Sequence, residues 1–138
     1  MTREQLKQHI ALRREKRQAE ETLASLRASA SPGAQVLTGM PHSPVVTDKT
    51  GDLAAEIVDA EAQIARLDAE ITAQEPEISA FIRSIRSVRT RTVFRLRVLR
   101  GLSWKEIAAV LGRWTSANSV KTAYHAYVNT NCIPDNTQ

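Results

Sequence analysis

The chain has 138 residues and a mass of 15.3 kDa, with 4% aromatic residues and 5 glycines. That length suits one domain with at most one elongated appendage and excludes a large multidomain enzyme, while a composition rich in Ala, Leu, Ile, Glu and Arg predicts an all-α fold with no Gly-rich strand-turn-helix for a nucleotide. The net charge of +4 divides into +3 over residues 1–51, −6 over 52–76 and +7 over 77–138, and a basic block of that size is the electrostatic footprint of a nucleic-acid binder.

Residues 1–30 contain no Gly or Pro and read as a helical arm. Leu12, Ala19, Leu23 and Leu26 fall on one face, with Leu6 and Ile10 offset from it, and Arg13, Arg14, Lys16 and Arg17 form a basic cluster. The arm is expected to be solvated and packed along a partner helix, the second reading being an arm that touches phosphate. The opening Met1-Thr-Arg-Glu-Gln-Leu-Lys runs into charged sequence, and no window holds about 18 consecutive apolar residues. A chain that is neither secreted nor membrane-spanning is expected, with a cytoplasmic location.

Residues 31–51 carry Ser-Pro-Gly, Gly-Met-Pro-His-Ser-Pro and Asp-Lys-Thr-Gly, a loop or linker long for a connection inside a compact domain. From Asp52, a good N-cap, a coiled-coil seam follows over 52–88: Leu53, Ile57, Ala60, Ile64, Leu67 and Ile71 at spacings 4, 3, 4, 3, 4, then Gln74, Ile78, Phe81, Ile85 and Val88. Pro76, in Glu75-Pro76-Glu77, predicts a kinked or restarted helix. A seam of roughly 54 Å needs covering, either by the first helix folded back or by the same segment of a second subunit. Leu53, Ile57, Ile64, Leu67, Ile71 and Ile78 are the oligomerisation candidates, for a homodimer or higher oligomer, and Gln74 is the kind of polar seam residue that sets register.

Residues 89–130 read as three short helices. The first, about Arg89 to Arg100, is apolar on two faces, Val93, Leu96 and Leu99 on one and Phe94 and Val98 on the other, and Gly101 ends it. Ser103-Trp-Lys-Glu106 is a capping box opening a helix with Ile107, Ala108, Val110 and Leu111, which Gly112 stops in a left-handed position. Thr115 or Ser116 caps a last helix to about Val128. Helix, tight turn and helix, with small Ala108 at the crossing, is the plan of a helix-turn-helix DNA reader.

Projecting the last helix at 100° per residue turns Val120, Ala123, Tyr124 and Tyr127 inward and Asn118, Thr122, His125 and Asn129 outward. Those four short hydrogen-bonding side chains are the base-reading candidates. The phosphate-binding candidates are Lys121, Ser116, Arg113, Lys105, Arg89 and Arg91. Arg83, Arg86, Arg89, Arg91, Arg95, Arg97 and Arg100 form a run suited to tracking a phosphate backbone or to pairing with the acidic 52–76 segment.

The segment Arg95-Leu-Arg-Val-Leu-Arg-Gly-Leu-Ser-Trp-Lys-Glu-Ile-Ala-Ala-Val-Leu-Gly112, followed by Ser119-Val-Lys121, resembles the promoter-reading C-terminal domain of bacterial sigma factors (region 4 of the sigma-70 type). It resembles still more closely the small phage-encoded late transcriptional regulators of the ArpU and RinA type. The specific part covers residues 82–128. The resemblance implies a phage or prophage regulator in a bacterial host that binds double-stranded DNA near a promoter, with Trp104, Ile107, Ala108 and Leu111 in the core and Ser116 to His125 reading the groove. The turn from Ala108 to Val120 is longer than in the sigma pattern, and Trp114 is expected to tuck under it. Two-fold pairing through the seam would call for a palindromic or direct-repeat site.

Two other classes compete. A phage terminase small subunit also joins a helix-turn-helix to oligomerisation helices, but in the opposite order. A helical protein that binds RNA polymerase or a sigma factor would show no salt-sensitive DNA binding. Enzyme readings are weak and neither cofactor nor metal is expected: His9, His42 and His125 are scattered, Glu56, Asp59, Glu61 and Asp68 read as surface charge, and the single Cys132 lacks a thiol partner in a polar tail, Asn129 to Gln138, expected to fray.

Overall fold

In the computed structural model, which describes residues 1–30, 45–112 and 115–133, five helices follow in order. They are α1 (Arg3–Ala30), α2 (Val45–Arg83), α3 (Val88–Phe94, running on as π-helix over Arg95–Leu99), α4 (Trp104–Leu111) and α5 (Ala117–Asn131). The fold is all-α, as composition and periodicity predict. Among the described residues the β contacts amount to one isolated bridge, Thr2 with Ile133. No helix among them is long and apolar enough to cross a membrane.

The chain divides into two compact units, Lys16–Asp68 and Met1–Glu15 with Ala69–Gln138. In the first, α1 and α2 run antiparallel: Lys16 Nζ meets Asp68 Oδ1 at 2.8 Å, and Arg27 meets Glu61 at 3.0 Å, so α1 rises as α2 descends. Ala19, Leu23 and Leu67 are buried between polar faces, and Leu53, Ile57 and Ile64 are partly buried. Exposed ion pairs contribute about 0–1 kcal/mol each, so these set the pairing register more than they hold it. They also show where part of the acidic segment finds cations: Asp68 and Glu61, read from sequence as plain surface charge, meet Lys16 and Arg27 of α1.

The second unit holds the main core. Phe94, Val98, Ile107, Val120, Tyr124 and Val128 pack with Ile78, Ile82 and Ile85 from the α2 end and with Leu6 and Ile10 from the start of α1. The offset of Leu6 and Ile10 from the other α1 leucines has this cause: they face a different neighbour. The Phe94 ring lies 4.6 Å from Tyr124 and 5.2 Å from Tyr127 between centroids, contacts worth about 0.5–1.5 kcal/mol each beyond their burial.

Several boundaries differ from those expected. α2 begins at Val45, so Asp52 lies inside the helix and caps nothing; the rest of the expected 31–51 loop, with His42, lies outside the described residues. α2 also continues through Pro76, without a restart. Proline forfeits one backbone hydrogen bond, and Ile71 and Ile78, nearly fully buried on either side, hold the helical path across it. The seam stops at Arg83. Ile85 is buried from the α2–α3 connection, while Val88 is exposed at the start of α3.

Leu67, Ile71 and Ile78 are buried within this single chain. That corrects their assignment to oligomerisation: the polypeptide's own packing covers the seam at these positions, and Leu53, Ile57 and Ile64 keep only partial exposure. The frayed tail is corrected as well. α5 continues to Asn131, Cys132 is buried, and Ile133 is pinned by Arg3 N–H donating to its carbonyl and by its own amide donating to Met1 O, both at 3.2 Å. Thr2 and Gln5 cap α1 reciprocally, Gln5 N–H to Thr2 Oγ1 at 3.1 Å and Thr2 N–H to Gln5 Oε1 at 2.8 Å. Residues 134–138 of the expected tail lie outside the described residues.

Candidate nucleic-acid interface

The local chemistry that places α4 and α5 starts at Gly101. After the π-helical residues, the amides of Gly101 and Leu102 donate to the carbonyls of Arg97 and Leu96 at 3.2 and 3.1 Å, and Gly101 sits at φ +66°, where a side chain is strained. A Cβ there would stand 3.1 Å from the Arg13 Cβ, so the glycine also lets α1 pass close by. Ser103 and Glu106 form the predicted capping box, with Glu106 N–H donating to Ser103 Oγ at 3.2 Å and Ser103 N–H to Glu106 Oε1 at 3.3 Å. Ile107 and Ala108 are buried, and Trp104 and Leu111 are partly buried against the core.

Gly112 has φ +109° and ψ −173°. This is not the left-handed helical stop expected of it: φ is positive, but ψ is extended and not helical. Arg113 and Trp114 in that turn, and with them the assigned phosphate contact and the expected tuck, lie outside the described residues. Ser116, not Thr115, caps α5, accepting from Ser119 N–H at 3.1 Å.

α5 presents its faces much as projected. Val120, Tyr124 and Val128 are buried and Tyr127 partly so, while Asn118, Thr122, His125, Asn129 and Lys121 are exposed. Ala123 departs from the projection: it lies at the margin of the inward stripe and is exposed. Burial drives the Tyr124 phenol up to about 12, so it stays protonated in the core.

Both flanks of the outward stripe carry cations. On one, a cavity of about 380 Å³ is lined by Lys7 and Arg14 of α1, Arg97, Trp104, and Lys121 and His125 of α5. The Arg97 guanidinium lies 4.3 Å from the centre of the Trp104 ring, and its Nη1–H donates to Leu102 O at 2.9 Å. Burial, reinforced by the charge of Arg14, lowers the Arg97 pKa. Burial also lowers that of His125, reinforced by Lys121, Arg97 and Lys7. On the other flank a cavity of about 190 Å³ sets Arg89 and Thr90 of α3 against Ser119 and Ala123.

The remaining candidates fare unequally. Lys105 is exposed on α4. Arg89 is exposed and donates to Thr115 Oγ1 at 3.3 Å, tying α3 to the α4–α5 turn. The Ser116 hydroxyl is engaged by its cap. Arg91 is partly buried, with its Nε enclosed and without a hydrogen-bond partner among the described residues. Arg14 belongs to the basic cluster of the arm read second as touching phosphate, and Lys7 carries no such signal in the sequence. Arg13 and Arg14 divide: Arg13 turns to Glu75 at 3.5 Å and Arg14 to the α5 cavity.

Among the described residues no group of three His, Cys, Asp or Glu side chains comes together as a metal site. No family model matches the chain, and no curated protein or solved structure matches it either.

Proposed function

We propose that the protein is a sequence-specific DNA-binding transcriptional regulator of the phage or prophage late-gene kind, with α4 and α5 as its helix-turn-helix and α5 as the helix that enters the major groove. The observation that carries this reading is the outward face of α5: Asn118, Thr122, His125 and Asn129 are exposed with no carboxylate among them, and cations border them on both flanks. Uncharged hydrogen-bonding side chains at the centre suit base edges, and cations at the margins suit the two phosphate strands that wall the groove. From residue 84 to residue 133 the sequence holds a single acid, Glu106, and that one belongs to the capping box. The resemblance of residues 82–128 to the ArpU and RinA regulators points the same way.

With seam residues buried inside the chain, this reading asks for one α5 per site and does not depend on a dimer. The test is selection of genomic fragments bound by the purified protein at about 150 mM salt, a concentration at which non-specific phosphate contacts are already weakened. Enrichment upstream of a late operon supports the regulator. Enrichment at a packaging locus supports a terminase small subunit in its place, and absence of binding even at low salt turns the C-terminal helices into a protein-binding module, with RNA polymerase as the partner to try.

A further inference from the structure

The cavity between α1 and α5 gathers five basic side chains. Its walls carry Lys7 and Arg14 from α1, Arg97 from the π-helical end of α3, and Lys121 and His125 from α5, with no carboxylate in the lining. Its floor is partly aromatic, and Trp104 supports the Arg97 guanidinium from below at 4.3 Å. Cations gathered this closely raise one another's cost: the charge of Arg14 bears on Arg97, and those of Lys121, Arg97 and Lys7 bear on His125. An anion seated among them offsets that repulsion. The cavity adjoins the stripe of Asn118, Thr122 and Asn129, so a duplex that places base edges over that stripe carries its backbone past these cations.

Resting on the reading of α5 as a groove-entering helix, we propose that this cavity seats the phosphodiester backbone of the bound DNA, making the first turns of α1 part of the DNA interface and His125 a phosphate-side ligand, not a base reader. The sequence assigns α1 first to packing, with an arm that touches phosphate as its second reading, and His125 to base edges. The tertiary structure brings Lys7 and Arg14 to the edge of α5 because Gly101, lacking a Cβ, admits the α1 backbone beside Arg13 and Arg14.

The experiment titrates the full chain by fluorescence anisotropy onto its selected fragment, a random duplex of equal length and an RNA hairpin, from about 50 to 300 mM salt. A Lys7→Gln/Arg14→Gln double variant is compared with a Lys16→Gln/Arg27→Gln control, which removes the same charge from cations paired with Asp68 and Glu61. Each lost phosphate contact lowers the slope of log K against log salt by about 0.9. We expect the cavity double variant to lose close to two such increments, to weaken both duplexes alike, and to leave the preference between them intact, with the control losing clearly less. His125→Asn is expected to weaken both duplexes equally. The proposal is overturned, with the reading of α5 intact, if the wild type binds its fragment and the cavity variant keeps its slope, if the control matches it, or if His125→Asn erodes preference alone. Tighter binding of the RNA hairpin than of either duplex also overturns it. A wild type that binds no duplex overturns both this proposal and the reading on which it rests.

Discussion

His9 and Gln74 are joined by a 3.0 Å hydrogen bond between ring Nδ1 and amide Oε1, on an imidazole with no solvent exposure. Arg13 Nε–H donates to the other ring nitrogen at 3.3 Å, which makes Nε2 the acceptor and leaves the proton on Nδ1 to bond Gln74. The polar seam residue therefore sets register with a histidine of its own chain. A second proton on this ring would have to sit at Nε2, facing Arg13.

Stability should consequently fall on mild acidification. Burial, assisted by Arg13 and opposed by the Gln74 hydrogen bond and Glu75, lowers the His9 pKa from its ordinary value near 6.5. With the folded pKa below the unfolded one, the unfolded chain binds the proton first. The contribution is therefore complete above about pH 7 and declines as pH drops through 6.5 toward the lower folded value. Chemical denaturation at a series of pH values should show this decline, and His9→Gln should flatten it. His125, whose pKa is also lowered, adds a decline of the same sign that His125→Asn removes.

Gly101→Ala should destabilise the chain by about 1–2 kcal/mol, the cost of a left-handed residue with a Cβ, and by more if α1 must retreat from the 3.1 Å contact with Arg13. Urea unfolding gives the size of the loss. A neutral result would mean that residue 101 does not hold the left-handed conformation, and a loss confined to about 1–2 kcal/mol would mean that α1 yields to the added Cβ without cost.

The Cys132 thiol should react slowly with a thiol reagent at pH 8 in the folded protein and rapidly in denaturant. Its side chain is buried and burial pushes the thiol pKa up, so little reactive thiolate is offered. Fast labelling of the native state would mean that the end of α5 is not held by the Thr2–Ile133 bridge.

Ile71→Ala should cost about 2–5 kcal/mol, since the side chain is almost fully buried and its loss leaves a cavity. Because Leu67, Ile71 and Ile78 are covered within one chain, light scattering at micromolar concentration should return the 15.3 kDa of a monomer. A stable dimer whose dissociation follows Leu53→Ala and Ile57→Ala would restore the partly exposed end of the seam as an interface.

Three α5 substitutions should separate base reading from phosphate contact. Lys121→Ala should weaken binding to every sequence, whereas Asn118→Ala and Thr122→Ala should each erode preference by about 1–3 kcal/mol. Equal losses on selected and random DNA for all three would remove the base-reading assignment.

The sequence by itself determined the class, the short C-terminal helices and their caps, because these depend on neighbours within a few residues. Ser103 with Glu106, the 100° projection that put Val120 and Tyr124 inward and Asn118 and Thr122 outward, and Gly101 as a helix stop are all local. The reciprocal cap of Thr2 with Gln5 is equally local. Only the tertiary structure decided that the seam is covered within the chain at Leu67, Ile71 and Ile78, since a run of apolar residues is satisfied alike by its own α1 or by another subunit. It also decided that Pro76 stays helical, where buried flanking side chains outweigh one lost hydrogen bond. The same holds for the division of Arg13 and Arg14, adjacent and chemically alike. About 100° of helical rotation sends one to Glu75 and the other to the edge of α5, and what waits at each end of that rotation is set by residues some 60 and 110 positions away.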